Sequence, residues 1–160
     1  MTRQEKYPET KSFWYLNVNP KNRMTGDCWL RAVSRGLDQN YNDVLMEMVK
    51  VHLETGYEMS CDKAVETYLK SKGWYKRKQP RRLNGTKYTG EEFCNWLSMR
   101  YPNGEAGRVI ANIGGHHMVA IEPTYHGDGI NCRYKCRDTW NCTRKCIGNY
   151  YTELELELEY

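Results

Sequence analysis

Three residue types that together make a working thiol nucleophile stand far apart in this chain. They are Cys28 in Thr25-Gly26-Asp27-Cys28-Trp29, His117 in Gly114-Gly115-His116-His117-Met118, and Asp138 in Arg137-Asp138-Thr139-Trp140. A thiol attacks a carbonyl carbon only as its thiolate. A neighbouring imidazole takes the proton and later returns it to the leaving group, and a carboxylate fixes the ring's tautomer. Residues so distant in sequence meet only through folding, so the reading stands or falls on the elements that carry them.

Cys28 opens a stretch in which Trp29, Ala32, Val33, Gly36 and Leu37 fall on one helical stripe, with Thr25 or Asp27 placed to cap it. The cysteine is thus expected in a first helical turn, where unpaired N–H groups and the helix dipole favour a thiolate. Asp27 works against this, because an adjacent carboxylate raises a thiol's pKa, and it is expected to turn into the backbone as a cap. His117 precedes the apolar run Met118-Val119-Ala120-Ile121, which reads as a strand. Strand alternation lets only one of His116 and His117 face the cysteine. His117 is the expected base and His116 the alternative, and Asn141 would replace Asp138 if that residue served only a turn. Acyl transfer also needs donors for the developing oxyanion, and the Cys28 N–H and the Asn22 carboxamide are the expected pair.

Around these residues, helices are expected over about 42–54, ending at Gly56; from a cap at Ser60 to Gly73; and from a Thr89/Glu92 capping box through Phe93, Trp96 and Leu97. After Arg108 the pattern changes to short apolar runs, at 109–111, 118–121, 130–137 and 146–151, separated by Gly, Asn and Pro. Helices first and strands later predict an α+β fold, with a helical half carrying the nucleophile packed on one side of a C-terminal antiparallel sheet. Residues 1–20 read as an extended arm, 21–152 as the catalytic domain, and the alternating 153–160 as an acidic tail or edge strand.

The chain has 160 residues, a size for one domain with its own core, and no apolar run of membrane-spanning length or signal-like start, so a cytoplasmic location without membrane contact is expected. Seven cysteines, an odd number and widely scattered, read as reduced thiols. Cys132, Cys136, Cys142 and Cys146 lack the tight knuckles of a zinc site, so no metal and no cofactor is expected. A hairpin of 130–138 with 145–151 would set Cys136 against Cys146. The formal charge of +4 hides a basic stretch at Lys76, Arg77, Lys78, Arg81 and Arg82 with Trp74, Tyr75 and Tyr88 interleaved, a surface that could meet nucleic acid or an acidic partner.

Asn22 six places before the cysteine, an acid just before it, an apolar helix after it, a distant histidine opening a hydrophobic strand and Asp138 in the next strand together resemble the papain-like cysteine peptidases. The likeness is to bacteriocin-leader-processing domains and small phage-encoded proteins. The resemblance implies Cys28 as nucleophile, His117 as base, Asp138 as orienter and Asn22 as oxyanion donor, acting on a peptide or isopeptide bond in a protein or peptide substrate. The family has glutamine where this chain has Asn22. Other outcomes of the same machinery are deamidation, transglutamination and cell-wall peptide cleavage. From another class comes an inactive scaffold that binds or inhibits through its basic stretch.

Overall fold

The computed structural model describes residues 1–125 and 132–157. Helix α1 (Arg3–Lys6) and strand β1 (Phe13–Tyr15) precede three helices, α2 (Cys28–Leu37), α3 (Tyr41–Thr55) and α4 (Asp62–Ser71). Then come β2 (Tyr75–Arg77), α5 (Gly90–Arg100), β3 (Val109–Ile113), β4 (His117–Tyr125), β5 (Cys132–Asp138) and β6 (Ile147–Thr152). The fold is α+β, built on one six-stranded sheet of order β1-β5-β4-β3-β6-β2. Among the described residues, no helix is long and apolar enough to cross a membrane.

Local chemistry set most boundaries. Asn40 caps α3 through Asn42 and Asp43, and Gly56 closes it in a left-handed conformation. The Thr89/Glu92 capping box forms as its spacing predicts. Two caps depart from expectation. The N-cap of α4 is Cys61 rather than Ser60, whose hydroxyl is taken by Glu58. Asp27 stands at the N-cap of α2 without a side-chain capping bond, because stronger partners claim it.

The sheet is mixed rather than wholly antiparallel, since β1 adds in parallel to β5. Its helices also cover both faces, not one. Alternation along β3 sends Ile110 toward α2, α3 and α4, with Leu30, Val33, Met48 and Leu69, while Val109, Ala111 and Ile113 join Phe93 and Leu97 of α5 behind the sheet. Strand β6 pairs with β3 and β2, so β5 and β6 lie apart and Cys136 does not face Cys146. Residues 153–157 form no strand, although Leu156 packs on the core; 130–131 and 158–160, parts of the expected strand and tail, lie outside the described residues.

Two features hold the chemistry-bearing ends in place. Gly114 and Gly115, at φ of 66° and 87°, make the tight turn after β3 that begins β4 at His117, a conformation that side-chain-bearing residues rarely adopt. Gly36 lets α2 settle on the sheet, where an added Cβ would lie 2.4 Å from Ile110 Cγ1. Gly36→Ala is therefore expected to force α2 and Ile110 apart and lower stability by about 1–3 kcal/mol, the usual cost of overpacking. Urea denaturation checks this, and a neutral or stabilising result would contradict the packing.

Candidate active site

Cys28 is the first residue of α2, His117 the first of β4 and Asp138 the last of β5, and the fold brings all three together. The His117 Nε2–H donates to Asp138 Oδ2 in a very short hydrogen bond, and the ring lies near enough to the Cys28 sulfur to help lower its pKa. Since Nε2 is committed to the carboxylate, Nδ1 is the nitrogen left for the thiol. Trp140 packs on the imidazole, with ring centroids 5.0 Å apart. Cys28 and His117 line a cavity of about 520 Å³ that opens to solvent, together with Gly26, Trp29, Asn112 and His116.

Arg31, one turn beyond the nucleophile, organises the charges beneath this cavity. Its Nε donates to Asp27 Oδ1 at 2.9 Å and its Nη1 to Asp138 Oδ1 at 2.7 Å, and the side chain is buried. Asp27 also accepts from Tyr41 at 2.7 Å and Asn19 at 3.0 Å. The carboxylate beside the nucleophile is thereby neutralised by a guanidinium and two further donors, not by capping. Asp138 accepts a third bond from the Thr139 N–H at 2.7 Å, and its own carbonyl accepts the Leu16 N–H, so the N-terminal arm helps to hold it.

The electrostatics favour an ion pair at the cavity floor. Burial acts to raise the Cys28 pKa, but the His117 hydrogen bond, the Met118 backbone N–H and the charges of His117 and Arg31 outweigh it, leaving the thiol below its ordinary value of 9.0. Burial acts to lower His117, yet its bonds to Asp138, Cys142 and Cys28 push it up to about 11. Burial also opposes ionisation of Asp138, and His117 and Arg31 overcome it, so its pKa is lowered. Both shifts favour the thiolate–imidazolium pair over the neutral pair.

A second sulfur touches the same ring. Cys142 lies near His117 and Cys136, which shift its pKa downward, and Cys136 lies with its sulfur 3.7 Å from that of Cys94. The nitrogen, carboxylate oxygen and sulfur of His117, Asp138 and Cys142 lie within 4.8 Å of one another, a donor set with metal-like composition. A cation there would have to displace the His117 proton and sit beside Arg31, so the charge arrangement suits a proton rather than a metal. The four downstream cysteines are dispersed: Cys146 is exposed, Cys132 buried near Gly104, and Cys136 turned to Cys94.

The remaining sequence-derived residues fall outside the cluster or at its rim. His116 is exposed on the cavity wall. Asn141 accepts from the N–H and hydroxyl of Thr143, which makes it a turn residue. Asn22, at φ 51°, lines a separate hollow with Arg3 and Tyr15, and its carboxamide oxygen accepts from Asn17. In the basic stretch, Lys76 pairs with Glu66 and Arg82 with Glu92, Arg81 holds Gly85 and Gln79, Arg77 lies over the Tyr75 ring, and Lys78 is exposed. Trp74 and Tyr88 are buried in the core, leaving Tyr75 as the one interleaved ring in solvent. Arg31 and Cys142 are the site residues that sequence reasoning missed. The spacing of Asp27 and Arg31, four apart on one helix, was the available signal for the first. Searches against family models, curated proteins and solved structures find no match to this chain, so the site's own geometry carries the functional reading.

Two outcomes are expected. Arg31→Ala leaves two buried carboxylates without their shared cation and should cost about 3–5 kcal/mol in urea denaturation. His117 gains proton affinity on folding, so its contribution is complete below 6.5 and is lost as pH rises toward 11. Asp27 and Asp138 lose proton affinity, so theirs is complete above 3.8 and is lost as pH falls below it. The urea midpoint should therefore decline on both sides of a plateau, and Asp138→Asn should shrink the alkaline decline. An unchanged alkaline limb in that variant would contradict the pairing.

Proposed function

We propose that the protein is a papain-like thiol hydrolase that cleaves an amide bond, with Cys28 as nucleophile, His117 as general acid and base, and Asp138 as the orienting carboxylate. The observation that carries this reading is the meeting of Cys28 and His117 on the wall of an open cavity, with the buried Asp138 hydrogen-bonded to the ring behind them. Supporting it are the helix-start placement of the sulfur and the burial of Asp138 behind the ring.

In the proposed reaction the Cys28 thiolate attacks the carbonyl carbon, forming a carbon–sulfur bond and a tetrahedral oxyanion. The Cys28 backbone N–H, unpaired at the first turn of α2, donates to that oxyanion. The imidazolium of His117 protonates the departing nitrogen as the carbon–nitrogen bond breaks, leaving a thioester. Neutral His117 then removes a proton from water, which attacks the thioester. The acid leaves, the sulfur departs as thiolate, and His117 again holds its proton. Asp138 keeps Nε2 protonated throughout and Trp140 covers one side of the ring.

Incubation with a peptide library and mass analysis of the products test this reading. Cleaved amides are expected with the wild type and none with Cys28→Ala at unchanged circular dichroism. His117→Ala is expected to slow turnover by about 10²–10⁴-fold. Intact peptides together with unreactive Cys28 toward iodoacetamide would refute it, and products with glutamine side chains converted would redirect it to deamidation.

A further inference from the structure

Resting on the thiol-hydrolase reading, we infer that the cleft selects substrates carrying a cationic group close to the scissile bond, and that Asp62 is the residue that recognises it. Asp62 is the first residue of α4 and is exposed. It lines the cavity that holds Cys28 and His117, and also an adjoining hollow of about 450 Å³ that shares Asn112 and Gly115 with it. The two hollows adjoin through these shared residues, and Asp62 lines both.

Its carboxylate is the acidic group common to both hollows, and among the described residues no cation pairs with it. The neighbouring lysines are engaged elsewhere. Lys63 lies over the Tyr57 ring, and Lys70 and Lys76 both bind Glu66 at 2.8 Å and 2.9 Å. Lys87 lines the second hollow and Lys145 packs against Gly114, and neither lines the cavity that holds Cys28. A lysine or arginine side chain, or a free amino group, covering Asp62 would exchange a hydrated carboxylate for a partly desolvated ion pair next to the reacting carbonyl. An anionic group there would meet like charge.

Epoxysuccinyl peptides read this directly, because they extend to either side of a cysteine sulfur. Their ring opens as the carbon–sulfur bond forms and the carbon–oxygen bond breaks, with the proton delivered to the new alkoxide. Matched probes with lysine, glutamate or alanine at each position are compared by the rate at which they label Cys28. At one position lysine is expected to exceed glutamate by about fivefold or more at low salt, with the margin narrowing as salt is added. Asp62→Asn should erase the difference and Asp62→Lys reverse it, with each probe's rate taken relative to that of neutral iodoacetamide on the same protein so that any change in the thiol itself cancels. Equal rates for lysine and glutamate at every position, or a preference that persists in Asp62→Lys, overturn the inference. Failure of iodoacetamide itself to label Cys28 counts instead against the thiol-hydrolase reading.

Discussion

A buried guanidinium held between two carboxylates sets the terms for everything around it. Arg31 reaches from α2 to Asp27 at the start of its own helix and to Asp138 at the end of β5, and neither acid has more than slight contact with water. Removing any one of the three would strand charge in a medium that solvates it poorly. The bridge therefore fixes the distance between the helix that carries Cys28 and the strand that carries Asp138. Packing reinforces it: Leu30 and Val33 of α2 join Ile110 and Met118 of the sheet in the same core cluster.

Around the bridge the charges alternate in sign. Two carboxylates, Asp27 and Asp138, face two cations, Arg31 and the protonated His117, and the Cys28 sulfur stands at the helix start beside them, where these charges favour its thiolate form. Asp27 would by itself disfavour a thiolate next door. Three donors, Arg31, Tyr41 and Asn19, draw its charge away from the sulfur and remove that objection. The N-terminal arm contributes to the same end, since β1 pairs with β5 and the Leu16 N–H binds the Asp138 carbonyl.

Much of this was legible in the residues themselves. Caps and glycines mark the ends of α3 and α5, and the order cysteine, histidine, aspartate, each at the tip of an element, pointed to the cluster that the fold assembles. What escaped were interactions between distant residues with no local periodicity. A charged Arg31 reads as a solvent-facing residue until its two acids are in place. The parallel docking of β1 depends on pairing across more than a hundred residues, and the meeting of Cys94, Cys136 and Cys142 depends on which strands neighbour which. Covering the second sheet face with α5 followed from strand alternation in β3, which the short apolar run at 109–111 did not reveal. Asn22 had the right spacing before the cysteine, but its left-handed backbone belongs to a loop that turns its carboxamide oxygen to Asn17.

The central claim is that Cys28 exists as a thiolate because His117 holds the proton. Ultraviolet absorbance of the thiolate, followed through a pH titration as the difference between wild type and Cys28→Ala, measures this directly. One thiolate is expected to form at a pH below the thiol's ordinary 9.0, with the transition moving upward in His117→Ala. A transition at or above that ordinary value, or one indifferent to loss of the imidazole, would contradict it.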